Sequence, residues 1–183
     1  MTALGMLELS SIGIALAVED AMLKAADVRL LVARTICSGK YIVMVGGETA
    51  EVESSVAAGR DASAEALIDQ LVIPNVDERL FPAISGAVEV REEHKDALGI
   101  LEAFSVTSII QGADAAVKAA EVRLFKIHVA MAIGGKGFLL LGGAVADVEA
   151  AIEAGAREIG KRGLLVSRVV IPRPEPELFG ELI

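Results

Sequence analysis

Apolar residues fall into two kinds of stretch along the chain. Short continuous runs at 3–9, 28–34, 41–45 and 72–73 are bounded by polar residues or glycine and read as strands. Alanine-rich stretches at 11–25 and 48–67 are poor in β-branched residues and read as helices. Glu51 and Glu53 sit early in the second stretch, where negative charge favours a helix start. The link TICSGK at 35–40 is short and carries glycine, as a hairpin requires. The predicted order is β-α-β-β-α-β, the split arrangement of a ferredoxin-like domain.

The pattern then begins again. ALGMLELSSIGIALAVEDAMLKAADVRL at 3–30 and ALGILEAFSVTSIIQGADAAVKAAEVRL at 97–124 are identical at 14 of 28 positions. Run 97–103 is therefore a strand and 105–119 a helix. After a two-residue slip Gly46-Gly47 pairs with Gly142-Gly143, and after a second slip VIP at 72–74 pairs with VIP at 170–172. Leu80-Phe81 pairs likewise with Leu178-Phe179. The fold class expected is α/β in the α+β sense: two tandem ferredoxin-like domains, 1–90 and 91–183, joined through the charged segment 89–96.

Composition narrows the partners. Hydrophobic residues make up 54% of the 183, but aromatics only 3%, so the chain offers little surface for stacking bases. A net charge of −9 argues against nucleic acid or an anionic membrane as partner. No apolar run is long enough for a membrane span, and no signal peptide is evident. The apolar excess points to surface buried by other subunits. The one cysteine, Cys37, excludes an internal disulfide framework. No paired-carboxylate or Ser-His-Asp pattern suggests an enzyme. The GGKG at 134–137 lacks phosphate-loop spacing. His128 stands beside apolar residues and reads as structural; His94, in the charged joint, reads as solvated.

Several spaced motifs carry a family resemblance. ALGMLEL, DAMLKAADV, TICSGK, a GG followed by an acidic helix, and VIP resemble the bacterial microcompartment shell-protein (BMC) domain. ALGILEA, DAAVKAAEV, GGKG and VIPRP resemble it a second time, so the likeness spans nearly the whole chain. Tandem members of that family are trimers whose six domains imitate a hexamer. They tile into a protein shell around enzymes in the bacterial cytoplasm. The resemblance implies a structural role, with other shell proteins and encapsulated redox enzymes as partners. It also places Lys24, Lys118 and Arg173 at the tile edge. Copy one has Asn75 where copy two has Arg173, so equivalent edge contacts are not expected there.

In single-domain members the loop aligned with TICSGK lines a central pore. A cysteine in this loop resembles the iron–sulfur subtype of the propanediol-utilisation shell proteins, as does VAMAIGGKG at 129–137, taken as a second pore-side loop with Lys136 matching Lys40. Ser38 departs from that subtype, which has proline there. The resemblance implies one [4Fe–4S] cluster per trimer, ligated by Cys37 from three protomers, with Ser38 and Gly39 donating to its sulfurs. Threefold thiolate ligation suits zinc equally. Two readings without a cluster stay open: a buried structural cysteine, and a pore-lining thiol in a tile that conducts small polar metabolites. A ligand-binding sensor or enzyme of the same fold has no motif of its own.

Overall fold

The computed structural model describes residues 1–129 and 133–182. The chain divides into two compact units, Met1–Glu78 and Arg79–Ile183. The first contains β1 (Ala3–Leu9), α1 (Ile12–Ala25), β2 (Arg29–Ile36), β3 (Lys40–Gly47), α2 (Thr49–Ala62) and β4 (Leu67–Pro74). Its sheet runs β2-β3-β1-β4, with every neighbour antiparallel. The second contains α3 (Leu80–Ser85), β5 (Ala97–Ala103), α4 (Val106–Ala119), β6 (Arg123–Val129), β7 (Gly137–Gly143), α5 (Val145–Gly160), β8 (Leu165–Pro172) and α6 (Glu177–Leu182). Its sheet order is β6-β7-β5-β8, again antiparallel throughout.

The duplication extends to the irregularities. The β1–β4 register slips between Glu8 and Leu9, and the β5–β8 register slips at the matching Glu102 and Ala103. β2–β3 slips between Leu30 and Val32, and β6–β7 between the matching Leu124 and Lys126. Helices start alike too: Ser11 accepts from the Ile14 amide and Ser105 from the Ser108 amide, each at 3.4 Å. Each serine satisfies an amide that the helix itself leaves open.

Within each unit two helices cover one sheet face. In the first, Ala15, Val18 and Met22 of α1 recur at helical spacing and bury against Leu7, Val43 and Val45. Helix contact depends on glycine. A Cβ on Gly155 of α5 would lie 2.7 Å from the Gly112 carbonyl oxygen of α4 and 2.6 Å from Leu101 Cδ1. The first obstacle is backbone and cannot swing aside. Gly155→Ala is therefore expected to destabilise the chain by about 1–3 kcal/mol in urea unfolding, the usual cost of overpacking.

The predicted helix 48–67 is shorter than its alanine content suggests. It ends at Ala62, and a 3₁₀ turn at Ala64–Ala66 leads into β4. The units divide at Glu78/Arg79, whereas the repeat places the boundary at 90/91. The reason is local: α3 lies against β6, and the Arg79 guanidinium donates to the carbonyls of Val117 (2.7 Å) and Val122 (3.3 Å). Phe179 of α6 packs edge-on against Phe125 with ring centres 6.1 Å apart, and the Lys95 ammonium sits 5.3 Å from the Phe179 ring. Among the described residues no helix is long and apolar enough to cross a membrane.

Candidate functional site

β2 and β3 form a hairpin closed by Ile36 opposite Lys40. The residues between them, Cys37–Gly39, form a tight turn that is kinked at Ser38 rather than regularly helical. Ser38 and Gly39 both have positive φ, 65° and 71°. Glycine accepts this conformation freely, whereas serine pays for a crowded Cβ. The turn thus places Cys37, Ser38 and Gly39 together at the hairpin tip, with Cys37 half-buried.

Two side-chain straps hold the base of this hairpin. Lys40 Nζ donates to Glu8 Oε1 at 2.8 Å, and Glu8 is buried on β1. The Tyr41 hydroxyl donates to Glu19 Oε2 of α1 at 3.3 Å. Burial, then the neighbouring Glu19 charge and this hydrogen bond, raise the Tyr41 pKa above its ordinary value. Its phenol therefore stays a protonated donor at neutral pH. Replacing Lys40 by methionine strips a nearly buried carboxylate of its cation. Because Lys40 is one-third exposed, the expected loss lies toward the low end for a charged hydrogen bond, about 1.5 kcal/mol, read from the shift in urea midpoint.

The second unit repeats the strap. Lys136 pairs with Glu102 on β5, and Ser167 Oγ donates to Glu102 Oε2 at 3.2 Å. The expected match of Lys136 with Lys40 thus extends to the carboxylates they bind. Glu8 and Glu102 were the residues that sequence reading passed over. The signal was there: one acid, in the same place, in both ALGMLEL and ALGILEA. In the second loop, Gly134 and Gly135 have φ of 67° and 82°; residues 130–132 of VAMAIGGKG lie outside the described residues. His128 stacks on Phe138 across β6 and β7, ring centres 4.9 Å apart. His94 Nδ1 accepts from the Arg91 amide.

The predicted edge residues are separated from the hairpin tip in sequence and element. Lys24 and Lys118 close the last turns of α1 and α4, where cations favour the helix dipole. Each pairs with the aspartate one turn back, Asp20 or Asp114, at 2.6 Å. Arg173 is exposed, at φ 49°, and Asn75 takes φ 51° at the matching place. The backbone is shared although the side chains differ.

The copies diverge in exposure. Ile12, Leu16 and Leu23 lie on one face of α1 and are 43%, 55% and 40% exposed. Their repeat counterparts on α4, Val106, Ile110 and Val117, are buried to 2% exposure or less. Among the described residues no group of three or more His, Cys, Asp or Glu side chains is placed to hold a metal ion. Alone, a chain offers one thiol.

Two antiparallel split β-α-β domains, each with a strapped hairpin, define the class. The BMC domain matches residues 3–76 and again 97–174, and the chain belongs to the BMC-domain family of bacterial microcompartment shell proteins. It is similar to the bacterial microcompartment shell protein PduT of Citrobacter freundii, 42% identical over 181 residues that cover 99% of this chain and 97% of that one. The crystal structure of a microcompartment protein from Desulfitobacterium hafniense superposes with a TM-score of 0.93 at 44% identity, covering 97% of this chain and 98% of the other. The shell protein EutM of Salmonella typhimurium is 41% identical over 83 residues, covering 45% of this chain and 84% of its own length. The family assigns a structural role in the microcompartment shell, inside the bacterial cytoplasm, and not an enzymatic one.

Proposed function

We propose that the chain is a trimeric shell tile whose central pore holds a [4Fe–4S] cluster ligated by Cys37 of three protomers. The observation that carries this reading is the placement of the only cysteine at the tip of the first unit's hairpin, in a turn shared with Ser38 and Gly39. One thiolate is too few for a cluster, but three copies around a threefold axis bring three, which leaves one iron of the cube for another ligand. The bound cluster would supply one-electron transfer across the shell. The chain's own residues hold the site: Cys37 ligates, Ser38 and Gly39 donate to the sulfurs, and the Lys40–Glu8 strap fixes the hairpin.

The uncovered apolar face of α1 supports the trimer. A face that the second copy of the same domain buries is left for a neighbouring protomer in the first. Other shell proteins meet the tile at its edges, where Lys24, Lys118 and Arg173 would make contact. Electrons passing through the pore would serve redox enzymes inside the compartment.

Anaerobic reconstitution of the oligomer with iron and sulfide tests the cluster. Broad visible absorbance and an electron paramagnetic resonance signal on reduction are expected; neither appearing overturns it. The alternative is a tile without a cluster, whose pore passes small polar metabolites. Its support is that Ser38 and Gly39 offer hydroxyl and amide groups at the same tip. Metal analysis of anaerobically purified protein separates the two.

A further inference from the structure

The second unit contains a cavity of about 350 Å³ that the shell role leaves unused. Its walls include Arg79, His94, Arg123 and the main chain Gly142–Ala144 that leads into α5. Arg79 is anchored by the carbonyls of Val117 and Val122, so its guanidinium is fixed in place. Arg123 differs: its Nε is buried and has no hydrogen-bond partner. A buried guanidinium donor without an acceptor costs free energy and calls for one.

The two copies differ in charge at this helix start. In the first unit the matching helix, α2, is preceded by Glu48, whose Oε2 accepts from Thr2 Oγ1 at 3.0 Å. Three residues on, Glu51 Oε2 accepts from the Asp27 amide at 3.0 Å. In the second unit Ala144 stands in place of Glu48, which removes a carboxylate although neither residue caps its helix through its side chain. Asp147, one methylene shorter than Glu51, takes its place in the first turn. The first unit thus carries two carboxylates at this helix start, Glu48 largely in solvent and Glu51 on the Asp27 amide. The second leaves a cavity there, beside two arginines and the positive end of a 16-residue helix.

We infer that this cavity binds a small oxyanion, phosphate or carboxylate, between Arg123, Arg79 and the start of α5. The Gly142–Gly143 backbone suits it. A Cβ on Gly142 would lie 2.3 Å from the His94 carbonyl oxygen, so glycine lets the β7 end approach the cavity wall. Glu93 and Glu121 also line the cavity, but both are exposed and their charge is screened by water. The inference is independent of the cluster.

The test is calorimetric titration of the intact chain with inorganic phosphate, and separately with acetate, at constant ionic strength against chloride. Saturable binding of at least one of them is expected. Ala144→Glu, which supplies the carboxylate that the first unit already has, should weaken that binding at least tenfold. Arg123→Gln should do the same by removing the donor. Circular dichroism confirms that each variant is folded, and one folded variant suffices. Binding of neither anion beyond the chloride response overturns the inference, as does binding that a folded variant retains.

Discussion

Under the proposed cluster reading, replacing Cys37 by serine is expected to abolish the cluster entirely. After anaerobic reconstitution with iron and sulfide, the variant should show no visible charge-transfer absorbance and no resonance signal on reduction. A partial loss is not expected, and symmetry is the reason. A conventional cluster protein spreads its ligands over several positions, so one substitution leaves the others. Here each chain has one cysteine, and a single codon change removes every thiolate from the assembly. The fold should not notice, because Cys37 is half-buried in a turn whose geometry depends on Ser38 and Gly39. Equal iron in the variant and the unaltered oligomer would refute ligation by Cys37.

The second large effect concerns assembly. Under the proposed trimer, Leu16→Glu on α1 is expected to reduce the mass in light scattering from three times 19.0 kDa to 19.0 kDa. Leu16 is more than half exposed in one chain, so glutamate there costs folding little. Against a neighbouring protomer it costs much more. Burying a leucine contributes about 1.5–3 kcal/mol, and burying an unpaired carboxylate instead opposes association strongly. The matched change Ile110→Glu on α4 provides the contrast. Ile110 is inaccessible to solvent within the chain, and that variant should unfold rather than dissociate. A Leu16→Glu protein that keeps its threefold mass would remove α1 from the interface.

Much of this fold could be read from the chain because the chain states it twice. Strands β1 and β5 begin and end where their apolar runs do, and both first helices start after a serine that caps them. The hairpin holding Cys37 follows from a short glycine-containing link between two strands. Other features left no local pattern. α3 and α6 have six residues each, under two turns, so helical periodicity has no length in which to appear. The unit boundary at Glu78/Arg79 depends on which side α3 packs against, a tertiary choice. The partnership of Lys40 with Glu8 spans 32 residues and exists only once β1 and β3 pair. Unequal burial of α1 and α4 is likewise a tertiary outcome, since Ile12, Leu16 and Leu23 are apolar and so are their counterparts Val106, Ile110 and Val117.

That unequal burial also bears on mixtures of chains. Under the trimer reading, each protomer is a directional link: it offers one uncovered α1 face and, elsewhere, the surface that receives its neighbour's. A chain with its α1 face blocked still presents the receiving surface. It can join a growing assembly and then end it, so the ring never closes around it. A minority of such chains would poison a majority of sound ones, and damage to this single face would act dominantly rather than in proportion to its abundance.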